Sequence, residues 1–116
     1  MNVIVNVEGH GSDRIVVVKA IERRIDASRS EEFKARLFSL VCDGVAGLVL
    51  DISDVEFIDS SGLGAIIATL EELAPNGEIA LCGTRESVKS ILRLTRMDCV
   101  FHHCEAPEAA FDLISG

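Results

Sequence analysis

Apolar positions along this chain switch between two spacings. Val3–Val7 and Ile15–Val18 are β-branched runs, and residues 8–13 between them, with two glycines, predict a hairpin loop. From Phe33 the interval lengthens: Phe33, Leu37, Leu40 and Val41 recur at helical spacing. Ser28 with Glu31 three residues later carries a capping-box signature for the start of that helix. Gly44 and Gly47 end it, and Leu48-Val49-Leu50 is an unbroken apolar run, the pattern of a strand covered on both faces. Residues 51–59 predict a long connection anchored by Val55, Phe57 and Ile58. A second helix starts near Ser60 with a stripe of Leu63, Ile66, Ile67, Leu70 and Leu73, closed by the turn signal Pro75-Asn76-Gly77. Ile79–Cys82 predicts another buried strand. Thr84 is placed to cap a third helix with an apolar face of Val88, Ile91, Leu92 and Leu94. Cys99-Val100-Phe101 predicts a short strand, and Pro107 suits the first turn of a last helix carrying Ala110, Phe111 and Ile114.

The order β-β-α-β-α-β-α-β-α predicts an α/β fold: a mainly parallel, mixed sheet of four to five strands, about four helices and an antiparallel edge from the opening hairpin. With 116 residues and no linker, repeat or low-complexity run, residues 1–116 are expected to form a single domain. Lys and Arg number 11 against 19 Asp and Glu, a formal charge of −8. That balance repels nucleic-acid phosphates and anionic lipid, and no local basic patch is evident in the sequence to reverse it. No apolar run approaches the roughly 18 residues of a membrane span, and Met1–Asp13 lacks the pattern of a secretory signal. The expected location is therefore the cytoplasm. Cys42, Cys82, Cys99 and Cys104 show no tight framework, so reduced thiols are the expectation. Trp and Tyr are absent, which disfavours sugar and single-strand stacking sites.

Several chemistries fail on spacing. Ser nucleophiles need a base and an orienting group; the histidines are His10, His102 and His103, and there is no Gly-x-Ser-x-Gly elbow. Gly62-Leu63-Gly64 lacks the further glycine of a dinucleotide fingerprint, since Ile67 stands there, and no Gly-Lys-Ser/Thr loop exists. The run Cys99–Cys104 holds two Cys and two His, but alternation along a strand sends neighbouring side chains to opposite faces, away from a common ion. Glu71-Glu72 reads as a solvated helix face. No enzyme activity, metal or cofactor is expected from these residues.

The stretch from Leu50 to Gly64 holds the remaining chemistry. Asp59, Ser60 and Ser61 all suit an N-cap or first turn. Gly62 and Gly64 each cost about 1 kcal/mol inside a helix, so each needs a reason: close packing against the sheet, or close approach of a partner's backbone. A hydroxyl here, if phosphorylated, gains a charge of about −1.5 to −2, which free amides and the helix dipole can stabilise. Ser60 as an unmodified capping hydroxyl is the alternative role, and the two are compatible. Asp59 serves either as a local hydrogen-bonding group or to place Ser60.

Phe57-Ile58-Asp59-Ser60-Ser61-Gly62-Leu63-Gly64 resembles the phosphoacceptor motif of STAS-domain anti-sigma-factor antagonists, and the element order is similar to that fold over nearly the whole chain. The resemblance implies a phospho-switched binding module. Unphosphorylated, it would bind an anti-sigma factor that is itself a GHKL-type serine kinase. That kinase would phosphorylate Ser60, with Ser61 the secondary candidate, and a PP2C-like phosphatase would reverse the step. Asp26 resembles the family's acidic residue ahead of the first helix, with a solvated loop carboxylate as its alternative role. Asp26, Asp59, Ser61, Gly62, Leu63 and Gly64 are the implied partner contacts. Arg23 departs from the family's usual glycine three residues before that Asp. The alternative within the same family is a scaffold subunit of a lipid-transport ATPase assembly or of another cytoplasmic sensor complex, without phosphate turnover.

Overall fold

The computed structural model describes residues 3–10, 13–41, 44–73 and 75–114. Strands β1 (Val3–His10), β2 (Asp13–Ala20), β4 (Gly47–Asp51), β6 (Glu78–Cys82) and β7 (His102–Cys104) form one sheet in the order β1-β2-β4-β6-β7. β1 pairs antiparallel with β2, and the pairs β2–β4, β4–β6 and β6–β7 are parallel. The expected α/β architecture, four parallel strands with an antiparallel edge, is thus present. A second, two-stranded parallel sheet joins β3 (Arg24–Ile25) to β5 (Phe57–Ile58). The four helices are α1 (Ser30–Val41), α2 (Ser60–Glu72), α3 (Glu86–Leu94) and α4 (Pro107–Ile114).

Strand periodicity divides the sheet's side chains between two helical layers. Val16, Val18, Leu48, Leu50, Ile79 and Leu81 share a core with Phe33 and Leu37 of α1, Leu63 and Ile66 of α2, and Val88 and Leu92 of α3. The alternate residues Ile15, Val49, Ala80 and Cys82 meet Ala110, Phe111 and Ile114 of α4. Leu48, Val49 and Leu50 are buried on both faces, as the unbroken apolar run predicts.

Five local expectations are corrected. The hairpin strands continue from Val3↔Ala20 to His10↔Asp13, so ladder pairing takes up most of the predicted loop. Ser28 does not cap α1: it lies in the preceding turn, its hydroxyl donates to Asp26 Oδ1 at 2.6 Å, and the Asp26 carbonyl accepts from the amides of Arg29 and Ser30. Thr84 does not cap α3 either. Arg85 holds the cap position without a side-chain bond, and the Thr84 hydroxyl is buried with no partner among the described residues. Leu94 is 82% exposed, because the apolar seam runs through Val88 and Leu92 and a residue two places on points the other way.

The predicted strand at residues 99–101 is instead a turn, and pairing begins at His102. The cause is how α3 ends. Arg96 adopts φ +60°, its amide reaches the Arg93 carbonyl, and Met97 N donates to Leu92 O at 2.8 Å, a Schellman closure. Val100 N then turns back to Met97 O, which delays the strand.

Candidate functional site

The site is the first turn of α2 and the loop that approaches it from β3. Asp59 is extended (φ −105°, ψ −174°), and its Oδ1 accepts from the amides of Ser61 at 2.9 Å and Gly62 at 3.1 Å. This is an N-cap that satisfies two of the helix's orphan donors. Its other oxygen, Oδ2, accepts from the Ala27 amide at 3.1 Å. The Asp59 amide donates to Ile25 O at 3.3 Å. One half-buried carboxylate therefore ties the start of α2 to the loop ahead of α1.

The amides expected to remain free for a phosphate are thus partly occupied. Ser61 N and Gly62 N already bind a carboxylate, whose charge sits one residue from Ser60. A phosphate on Ser60 would be held less by the helix start than the sequence alone suggested and would present its charge outward. Ser60 and Ser61 are both exposed.

The two glycines separate cleanly. A Cβ at Gly62 would meet Ile25 O and Ile58 Cγ1, each at 2.6 Å, so its bareness serves the contact between α2 and the small β3–β5 sheet. A Cβ at Gly64 would meet nothing within 4 Å, and Gly64 is exposed. Internal packing explains the first glycine and leaves the second without an internal reason. Leu63, beside them, is 4% exposed and belongs to the core.

Asp26 lies half-buried at the other end of the link. Its Oδ1 accepts from Ser28 Oγ and from Ser28 N at 3.1 Å, and Arg24 Nε stands 3.7 Å from Oδ2. The Ser28 hydroxyl bond chiefly, and Arg24 beside it, hold the carboxyl below its ordinary value. Arg23 occupies a backbone conformation without positive φ, so no glycine is required there; its side chain is exposed and pairs with Glu56 at 3.3 Å.

Two hollows flank the exposed face of α2. One, about 350 Å³ and largely apolar, runs from Ser60 past Leu63, Gly64 and Ile67 to Met97. The other, about 240 Å³, lies between Ser30, Lys34, Ser61 and Gly64. Gly64 and Ala68 border both.

The comparisons with known proteins converge on this motif's family. The STAS domain family matches residues 5–110. The chain belongs to the STAS domain family. This STAS chain is 25% identical over 104 residues to the anti-sigma-B factor antagonist of Staphylococcus aureus, covering 89% of this chain and 95% of that protein. Its fold is similar to an anti-sigma factor antagonist from Mycobacterium paratuberculosis, with TM-score 0.76 and 24% identity over 99% of this chain and 96% of that one. The antagonist SpoIIAA matches in its unphosphorylated form with TM-score 0.73 and 20% identity, over 95% of this chain and 96% of that one. The phosphorylated form of the Bacillus protein gives 0.65 and 19%, over 95% and 99%.

Sequence reasoning missed one cluster. The β3–β5 pairing draws Arg23, Arg24, Arg29 and Arg85 around a cleft of about 550 Å³, interleaved with Glu22, Asp54 and Glu56. Residues 23–29 and 85 are too far apart in sequence to read as a patch, and two-residue strands leave no periodicity to find. The histidines lie elsewhere: His102 Nε2 is 3.2 Å from Glu78 and His103 Nε2 is 2.6 Å from Asp98 O, both on β7. The side chain of His10 lies outside the described residues. Among the described residues no helix is long and apolar enough to cross a membrane.

Proposed function

We infer that this STAS domain is a phospho-switched antagonist of an anti-sigma factor, with Ser60 as the phosphoacceptor. Unmodified, it binds a serine-kinase anti-sigma factor in the cytoplasm through the exposed start of α2, so that the sigma factor is released. Gly64 admits the partner's backbone, and the flanking hollows admit its side chains. Asp26 and Asp59 fix the edge of this surface through the Ala27 link, and Gly62 and Leu63 support it from behind.

The kinase transfers the γ-phosphoryl group of ATP to Ser60 Oγ, and the hydroxyl proton passes to the kinase's base. Nucleotide and Mg²⁺ belong to the kinase, so this chain needs no cofactor and performs no catalysis. The new dianion stands beside the Asp59 carboxylate and faces the partner. Every 1.4 kcal/mol is tenfold in affinity, and like-charge contact with desolvation at an interface costs several kcal/mol, so one modification suffices for release. A PP2C-like phosphatase restores the binding form.

The observation that carries this reading is the exposed Ser60 on a helix start capped by Asp59 and packed at Gly62 yet left bare at Gly64. Incubation with the cognate kinase and ATP, followed by peptide mass spectrometry, tests it. Phosphate on Ser60 is expected, with none on Ser60→Ala. Phosphate found only away from Ser60 and Ser61 would defeat it.

A further inference from the structure

The cysteines show a framework that their spacing conceals. Cys82 ends β6 and Cys104 ends β7, and the two are register partners in the parallel ladder. Paired strands lie about 4.8 Å apart, inside the roughly 4.4–6.8 Å Cα window that a disulfide accepts. Both thiols project to the α4 side of the sheet, with sulfur atoms 2.8 Å apart and no bond between them. Cys82 is fully buried. Cys104 is half-buried and lines a cavity of about 380 Å³ at the carboxyl ends of β6 and β7, beside Thr84, Leu92 and His103.

We propose that Cys82 and Cys104 are a peroxide-oxidisable pair that closes a disulfide between β6 and β7. Cys104 is half-buried whereas Cys82 is fully buried, so hydrogen peroxide reaches Cys104 first. The Cys104 thiolate attacks one peroxide oxygen, the O–O bond breaks, and the departing hydroxide takes a proton to become water. The Cys82 sulfur then attacks the resulting sulfenic sulfur. The S–O bond breaks, and the hydroxide leaves as a second water with the Cys82 proton. Two thiols lose two electrons in all, and one peroxide becomes two waters. The order of events follows from burial, which, with the bond to Cys104, pushes the Cys82 thiol up and leaves Cys104 to react first. Cys99 is exposed, with the Arg96 carbonyl and the Asp98 carboxylate near its sulfur. It is the competing site. The proposal does not rest on the Ser60 reading, since α2 packs on the sheet's opposite face.

The test treats the full chain with hydrogen peroxide, alkylates under denaturing conditions and maps the peptides. The expected result is a Cys82–Cys104 linked pair, two fewer titratable thiols and reversal by dithiothreitol. The cross-link closes a long loop onto an edge strand of three residues, so the melting temperature should rise by about 8 °C. Cys99→Ser should keep the linkage. Cys82→Ser should leave Cys104 as a sulfenic acid trapped by dimedone. Oxidation of Cys104 to sulfinic acid in the unmutated chain with Cys82 still free would overturn the proposal. So would linkage through Cys99 or Cys42 instead, or four thiols surviving peroxide.

Discussion

At the start of α2, one Asp59 carboxylate holds the amides of Ser61, Gly62 and Ala27, and Gly62 sits jammed against Ile25 and Ile58. At the start of α3, Arg85 provides no side-chain cap, its Nε instead donates to Ser53 O at 2.8 Å, and the neighbouring Thr84 hydroxyl is buried without a partner among the described residues. Both helices lie in the same layer against the same sheet. Val88 and Leu92 pack α3 on the sheet, and Arg85 and Ser87 tie its start to Ser53 O and Glu56 O, so α3 is placed without the carboxylate cap that α2 carries. The difference teaches that a helix of this layer can start without a side-chain cap, and that the Asp59 cap and its link to Ala27 are the added features that hold the exposed serines.

Substitutions can break this contrast in a definite order. Gly62→Ala forces a methyl group to 2.6 Å from a backbone oxygen, and should cost about 3 kcal/mol in a urea melt. Asp59→Ala removes the cap and the loop link together and should cost about 2 kcal/mol. Gly64→Ala meets open space, and should gain about 1 kcal/mol of stability while weakening partner binding. A Gly64→Ala variant that binds as tightly as the parent would remove the reason offered for that glycine. Thr84→Val replaces an unpartnered buried oxygen, and should stabilise the chain by up to about 1 kcal/mol, seen as a rise in melting temperature of about 4 °C. A loss instead would show that the hydroxyl has a partner in solution.

The long apolar stripes were legible in the sequence. Leu48–Leu50, Ile79–Cys82 and the faces of α1 and α2 follow from periodicity, because burial in a layered fold writes a regular spacing into the chain. Features set by a few backbone bonds were not legible. The β3–β5 sheet has two residues per strand, and the Arg96 reversal that shifts β7 uses a left-handed arginine where glycine or asparagine is the usual signal. In the site, the motif marked the helix start. Asp59 was legible as one of three cap candidates, and the coordinates single it out. The Ala27–Asp59 bond and the unequal surroundings of Gly62 and Gly64 needed coordinates, since they depend on residues distant in sequence or on the absence of a neighbour.

The account's central claim is that charge added at Ser60 reverses association without disturbing the fold. The direct measurement is the affinity of the cognate anti-sigma factor for the unmodified chain and for the chain phosphorylated at Ser60, with circular dichroism on both. A loss of about a hundredfold or more, roughly 2.7 kcal/mol, with unchanged secondary structure is the predicted result. Equal affinities for the two forms, or a loss that accompanies unfolding, would contradict it.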